Sequence, residues 1–339
     1  MINSRKVRLS DIAEKLDVSI VTVSKAIADK EGVSEELRKK IKAVAQELGY
    51  KQKAQIPGYK RENSTGNIGI VIPSHFFERS TSFYWTMYNA VSKELLANGY
   101  YGIMEQLSTK DEFDLVIPHV VQDKKVDGVI MLGQLSLDYA HFFTKHYSHF
   151  VFLDFYINDE DCDSITTDNF YNEYRMTQYL INQGHRNIRY VGNFNATSSI
   201  ADRFMGFMKA MLENGLHVAF EEIIPDRNKK GLYEPIKLPE NMPTAFVCNC
   251  DETAAKLINV LKENGFRVPK DVSVVGFDDF LADGRAIEPP ITTVAVDSAT
   301  LARVAVETLI KKINKQPYTQ GHTVISGKLL IRDSVKKLN

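Results

Sequence analysis

"VRLSDIAEKLDVSIVTVSKAIA", Val7 to Ala28, carries apolar residues at helical spacing, breaks at Asp17-Val18-Ser19, and opens a second helical run on Ile20, Val21 and Thr22. Leu9, Ile12, Ala13 and Leu16 make one stripe, with Ser10 placed to cap the first turn. Ser19 is placed to cap the second helix, whose Val23, Ala26 and Ile27 face inward. Ile20, Val21, Thr22, Ser24 and Lys25 are left pointing outward. A third helix starts at Val33-Ser34-Glu35-Glu36, buries Leu37, Ile41, Val44, Ala45 and Leu48, and stops at Gly49. Three short helices around one small core predict a helix-turn-helix unit, whose second helix enters the major groove of a duplex by its front end. There Ile20 and Val21 meet thymine methyls and Lys25 meets guanine acceptors. Ser19, Thr22 and Ser24 suit phosphate oxygens, which set register without reading sequence. The competing reading assigns Ile20 and Val21 to a contact between domains.

Charge separates this head from the rest. The 339 residues carry a net charge of −1, but residues 1–61 hold 14 Lys and Arg against 8 Asp and Glu, a surplus of six, which leaves −7 for the remainder. A basic head on an acidic body points to a polyanion for the head alone. Composition is that of an ordinary globular chain, 44% apolar and 25% charged, long enough for two or three domains. The opening "MINSRKVRLSDIAEK" lacks the apolar core of a signal peptide, and no run approaches the roughly 18 apolar residues of a membrane span. A cytoplasmic chain with no membrane partner is the expectation. Its three cysteines, Cys162, Cys248 and Cys250, do not make a disulfide framework.

From residue 67 onward, short β-branched runs alternate with helix-length stretches. The strand-like runs are "NIGIVIP", "YYGIMEQ", "DGVIML", "FVFLDF", "IRYVGN", "TAFVCN" and "VSVVGFDD", and Tyr84 to Leu96 and Asn172 to Gln183 are two of the helices between them. That alternation predicts parallel sheets wound on both faces, arranged as two lobes with a ligand cleft at the strand ends. No glycine-rich phosphate cradle occurs. Asp154, Asp278 and Asp279 close strand-like runs, and Arg203 is read as the start of the following helix. Carboxylates facing a guanidinium bracket a polyol, and aromatic faces cover a sugar ring; Phe83, Tyr84, Trp85, Phe155, Tyr156 and Phe280 are the aromatic candidates. Ordinary packing, and for Arg203 and Asp278 an ion pair, are the competing roles.

"RLSDIAEKLDVSIVTVSKAI" and "VSEELRKKIKAVAQELGYK" resemble the N-terminal domain of the lactose/galactose repressor (LacI/GalR) family of bacterial transcription regulators. "VDGVIML", "TTDNF", "INQGHRNIRYVGN", "VPKDVSVVGFDD" and "PPITTV" continue the resemblance, in order, through nearly the whole chain. It implies an α/β fold: a three-helix head (residues 1–56), a hinge (57–66), and a two-lobed periplasmic-binding-protein-like domain (67–339). Lobe 1 would hold about 67–165 and 297–325, lobe 2 about 166–296 and 326–335. It further implies a homodimer on a near-palindromic DNA operator, a carbohydrate effector, and no cofactor. The implied DNA contacts are Leu9, Ser19, Ile20, Val21, Thr22, Ser24, Lys25, Lys53, Ala54 and Tyr59; the implied effector contacts are Phe83, Tyr84, Asp154, Arg203, Cys250 and Asp278.

Four departures accompany the resemblance. Lys25 stands where Arg is usual and lacks its bidentate fork. Cys250 replaces an Asn, exchanging a two-way amide for a weak thiol donor. "HFFERST" reads as an insertion at the cleft mouth. In the hinge, Tyr59 falls where the family places a Leu wedge, and Pro57-Gly58 interrupts the helix expected there.

Other constellations fail on spacing. Asp159, Asp161 and Asp163 mimic a calcium loop but lack its Gly and its closing Glu, so an acidic surface loop is expected. His141, His146 and His149 do not share a helix face as a metal set would, Cys248 and Cys250 are read as i, i+2 on one strand, and no nucleophile–His grouping assembles. Neither a metal site nor catalysis is expected. A transport-type sugar-binding protein shares the two-lobe fold, but not the basic helical head. Replacing Pro57-Gly58 by Ala-Ala removes about 4 kcal/mol of helix penalty. The variant should bind operator more tightly and gain more helix on binding by circular dichroism; an equal helix gain in the unmodified chain would contradict the hinge reading.

Overall fold

A computed structural model describes residues 9–27, 32–48, 64–77, 83–158, 162–228, 231–281 and 287–338. The chain divides into two compact units, Met1–Glu62 and Asn63–Asn339.

The head contains α1 (Leu9–Leu16), α2 (Ile20–Ile27) and α3 (Glu35–Glu47). Ile12, Ala13, Val23, Ala26, Ile41 and Ala45 form its buried core, with Leu9, Leu16, Leu37, Val44 and Leu48 packed around them. Ser10 lies inside α1 rather than capping it, because the helix already begins at Leu9. Ser19 does cap α2, its Oγ accepting the Thr22 N–H at 3.0 Å. Asp17, in the turn between them, takes a positive φ of 52°, a conformation that Asp tolerates better than most residues.

The larger unit opens with β1 (Asn67–Pro73), α4 (Phe83–Ala97), β2 (Tyr101–Leu107), and two short helices, α5 (Thr109–Phe113) and α6 (His119–Gln122). β3 (Gly128–Leu132), α7 (Leu137–His146), β4 (Phe150–Leu153) and β5 (Ser164–Thr167) complete its first half. Then come α8 (Asn169–Asn182), β6 (Ile188–Val191), α9 (Ser198–Glu213), β7 (Ala245–Cys248), α10 (Asp251–Glu263) and β8 (Ser273–Val275). β9 (Thr293–Ala295), α11 (Ser298–Ile313), β10 (His322–Ile325) and β11 (Lys328–Leu330) close the chain.

All seven strand-like runs of the sequence are strands; β5 (SITT), β9 (TVA), β10 (HTVI) and β11 (KLL) mix polar residues into equally short segments and do not stand out as apolar runs. Helix α8 begins at Asn169, three residues before the expected Asn172, because Asp168 caps it by accepting the Tyr171 N–H. The first sheet has the order β10-β5-β4-β3-β1-β2 and is parallel throughout. Ile68, Ile70 and Ile72 face a core shared with α4 and α11, while Val71, Val129 and Met131 face one shared with α7. Burial on both faces is what makes these strands continuous apolar runs.

The second sheet, β6-β7-β8, is parallel, and bridges from Val275 to Thr292 and from Asp278 to Ala295 bring β9 alongside. β11 adds to β9 antiparallel, an edge that the expectation of purely parallel sheets did not contain. The chain reaches it directly from β10, through Ser326-Gly327, with no crossover helix to reverse its direction. Helices α8 and α9 cover one face of this sheet and α10 the other.

Asp163 corrects the acidic-loop expectation. It is buried and accepts from Lys312 Nζ at 2.8 Å, Tyr318 Oη at 3.0 Å and the Gly321 N–H at 3.1 Å, tying the start of β5 to the end of α11. Asp159 and Asp161 lie outside the described residues.

Helices α8 and α9 approach so closely at Gly206 that a Cβ there would press on the backbone at Phe170 and Tyr174. Gly206→Ala should therefore lower stability by about 1–3 kcal/mol, as overpacking does. Urea denaturation read by circular dichroism checks this; an unchanged midpoint would mean that the two helices separate freely.

Candidate functional site

In the head, α2 holds its front residues out of the core. Ile20 is 52% and Val21 63% exposed, next to the fully buried Val23. Lys25 is exposed, and Thr22 and Ser24 are half-buried on the same short helix. Ser19 Oγ and Thr22 Oγ1 lie 2.8 Å apart, so these two hydroxyls fix each other's direction. Leu9 is half-buried against the head core. Lys53, Ala54, Pro57-Gly58 and Tyr59 lie outside the described residues.

In the larger unit, the carboxyl ends of both sheets border a cavity of about 470 Å³. Phe83, Tyr84, Asp154, Arg203, Cys250 and Asp278 all line it, as does Phe280. Trp85, Phe155 and Tyr156 do not. Trp85 packs on Phe77 and Tyr88, and Phe155 is buried in the apolar core beneath the first sheet. Tyr156 Oη donates to Asp202 Oδ1 at 2.9 Å.

One wall of the cavity is aromatic. Tyr84 lies 4.0 Å, centroid to centroid, from Phe76, a residue of the expected insertion; His75 also lines the cavity, and residues 78–81 of that segment lie outside the described residues. Behind these rings Gly133 has φ +92°, and a Cβ there would come within 2.7 Å of Phe76 and 2.9 Å of Tyr84. Only glycine lets the chain leave β3 at that point. Tyr84 Oη donates to Asp154 Oδ2 at 2.9 Å. Burial pushes the Asp154 carboxyl up to about 6, against the pull of Arg203 and of this hydrogen bond. Burial, then Asp154, drives the Tyr84 hydroxyl well above its ordinary range.

The opposite wall is built on Arg203. It sits in the second turn of α9, not at its start as expected, because the helix already begins at Ser198 under the Thr197 cap. Its guanidinium is buried, and each of its three nitrogens has a partner. Nη2 pairs with Asp278 Oδ1 at 2.9 Å, Nε donates to Asn169 Oδ1 at 2.8 Å, and Nη1 donates to the Asn249 carbonyl at 2.6 Å. The Phe277 ring lies 3.8 Å beneath it. Asp278 reaches it from a strained backbone, φ 101°. Ion pair and cleft wall, competing roles for Arg203 and Asp278 in the sequence, are thus one arrangement.

Cys250 is not a strand residue. It precedes α10 as its cap, and its Sγ lies 3.3 Å from Thr253 Oγ1, 3.6 Å from Arg227 Nη2 and 3.7 Å from Tyr233 Oη. Burial raises its thiol. Arg227 is itself paired at 2.8 Å with the buried Asp226.

Sequence reasoning missed Phe76, Gln134, Arg227, Tyr233 and Asn249, which also line the cavity. Gln134 stands just past β3, a strand-end position that could have been noticed; its Oε1 accepts from the Ser198 N–H at 3.1 Å and hydroxyl at 2.9 Å, joining the lobes. Arg227 and Tyr233 lie on an irregular segment with no period to read.

Residues 8–53 match the family described as bacterial regulatory proteins, lacI family, and residues 177–335 match the periplasmic binding protein-like domain. The chain is 33% identical to the HTH-type transcriptional regulator RegA of Clostridium saccharobutylicum over 96% of its own length and 98% of that protein's. The chain belongs to the lacI family. Among solved structures of the same fold are the lac repressor dimer bound to operator and the anti-inducer ONPF (TM-score 0.68, 22% identity, 98% and 100% of the two chains) and the transcriptional regulator CelR–cellobiose complex (TM-score 0.67, 21% identity, 97% and 99%). As a lacI-family member this chain is a DNA-binding transcription regulator with a small-molecule effector domain. Among the described residues no helix is long and apolar enough to cross a membrane.

Beneath the cleft of this lacI-family chain lies a carboxyl that the sequence did not flag. Glu173, one turn after Asn169 on α8, is fully buried, and neither of its oxygens has a hydrogen-bond partner among the described residues. Burial raises it from its ordinary 4.5 to about 8; Arg203 opposes the rise, and Asp278 and Asp251 add to it. The folded chain then keeps a proton that the unfolded chain releases above pH 4.5. This contribution is fully present below pH 4.5 and is lost by about 1.4 kcal/mol per pH unit up to about pH 8. Glu173→Gln should flatten that slope, so that the variant's melting temperature gains on the wild type between pH 5 and pH 8. Parallel profiles would show that Glu173 does not titrate in this window.

Proposed function

We propose that this regulator is a dimeric repressor of carbohydrate-utilisation genes, released from a near-palindromic operator by a neutral sugar bound between its lobes. The observation that carries the effector class is the state of the two guanidiniums in the cavity. Arg203 is paired with Asp278 and Arg227 with Asp226, while Asp154, Glu112 and Glu252 add further carboxylates to the lining. An anionic ligand would have to break a buried pair to find a cation. A polyol does not, since each hydroxyl both donates and accepts: Asp154 and Asp278 accept hydrogen bonds from it, and Arg203 donates one to it. Phe83, Tyr84 and Phe280 cover its apolar face, and Cys250, a weak partner, faces a part of the ligand that needs little hydrogen bonding. CelR, of the same fold, is seen with cellobiose.

On the DNA side, Ile20 and Val21 meet thymine methyls and Lys25 reads guanine from the next turn, while Ser19, Thr22 and Ser24 meet phosphates. Leu9 supports the helix from the core, Lys53 and Ala54 extend the contact along the backbone, and Tyr59 takes the place of the minor-groove wedge. Two-fold symmetry doubles the bases read, as in the lac repressor dimer on its operator. The protein works where the DNA is, in the cytoplasm, and the cleft binds its ligand without transforming it.

Selection from a pool of random duplexes should return a near-palindrome. Changing Ile20 and Val21 together to Ala should relax its sequence, whereas Lys53→Ala should weaken all duplexes alike and flatten the salt dependence. An unchanged consensus from the double variant would move base reading elsewhere. Against a panel of neutral sugars, Asp278→Ala and Arg203→Ala should lose ligand-induced operator release while still binding operator. The coupling at stake is about 1–3 kcal/mol. Full release by either variant would reduce the pair to a packing role.

A further inference from the structure

A groove leads out of the cleft along α7. Glu112 and Ser136 line the cavity, and both also line this groove, which follows the helix as far as His146. From Leu137 to His146 is ten residues, about 15 Å at the rise of an α-helix. Phe113, at the end of α5, stands over the groove with 86% of its surface in water.

That position is held firmly. Ser108 caps α5, its Oγ accepting the Asp111 N–H at 3.0 Å, and Glu112 Oε1 accepts the Ser136 N–H at 2.6 Å. The second bond fastens the end of α5 to the residue before α7, which places Phe113 next to Glu112 and Ser136, the residues shared by cleft and groove. Further along, Phe142 offers a second apolar surface, with the His146 ring 4.4 Å away and His146 Nδ1 donating to the Phe142 carbonyl at 2.7 Å. Asp138 and Lys145 bring exposed charges to the same groove.

Aromatic faces set among charged and polar groups, in a channel that begins at a ligand site, are unlike the core of a protein interface, which is depleted in charge. They match a chain of sugar rings, each with an apolar face and a belt of hydroxyls. We propose that this groove extends the effector site: a neutral oligosaccharide places one end in the cleft and its further units along α7, with Phe113 as the platform for a ring outside the cleft. The inference rests on the reading of the cleft as a neutral-sugar site.

Calorimetric titration of the full chain with disaccharide and pentasaccharide pairs of the β-1,4-glucan, α-1,4-glucan and β-1,4-xylan series tests it. In the series that binds, the pentasaccharide should bind about tenfold tighter than the disaccharide, the scale of one aromatic stacking contact. Phe113→Ala should erase that gain and leave the disaccharide's affinity in place; at this exposure the substitution leaves the folded core intact. Equal affinities for the two lengths, or a gain that survives Phe113→Ala, would overturn the extended site and leave the cleft reading standing. Binding by no member of any series would overturn both. A change in sedimentation of the unliganded chain on Phe113→Ala would assign the groove to a protein interface and overturn the proposal.

Discussion

A guanidinium taken out of water has to be matched by partners, and Arg203 is met by four residues from three places: Asn169 on α8, Asn249 after β7, and Phe277 and Asp278 after β8. Leaving such a charge half-satisfied costs several kcal/mol, so these elements are not independently adjustable. The same requirement explains two local irregularities. Asp278 accepts a left-handed backbone to reach Arg203, and Glu173, just below, stays protonated in an enclosure already shared by Asp251 and Asp278. The second lobe is organised around a charge that faces the cleft.

Helix α9 carries that charge and also touches the first lobe. Ser198, at its first turn, is bonded to Gln134, and Asp202, next to Arg203, takes the Tyr156 hydroxyl. Phe83 and Phe280 meet edge to face across the cleft, 6.2 Å between centroids. A ligand that engages Arg203 and Asp278 on one side and the Tyr84–Asp154 pair on the other therefore acts on the contacts that set the lobe spacing. Packed lobes joined by a few directed bonds switch between arrangements rather than deforming continuously, which is how a small ligand's binding free energy becomes a change of state.

Much of this is legible in the sequence. The helix period of the head and the apolar runs of β1 to β4 and β6 to β8 have strong local causes, a capped amphipathic helix and a strand buried on both faces, and they fold as read. Strand-end acids and Arg203 were legible as polar residues closing or following such runs. What was not legible has non-local causes. β9 and β11 are three residues each, and pair only because the chain returns from the first lobe. Asp163 reads as one acid among three, but Lys312, 149 residues on, takes it out of solvent. Arg227 and Tyr233 sit on an irregular segment, and the aromatic candidates divide because Phe155 and Trp85 find apolar neighbours whereas Phe83, Tyr84 and Phe280 face the cavity.

The fork of Arg203, and not merely its charge, holds this wall of the cleft together. Arg203→Lys separates the two, since an ammonium keeps the charge beside Asp278 but cannot also bond Asn169 and the Asn249 carbonyl from one fixed plane. The direct measurement is operator affinity of this variant with and without an effector that releases the wild type. The account predicts operator binding close to wild type with the release largely lost. Wild-type release by Arg203→Lys would contradict it.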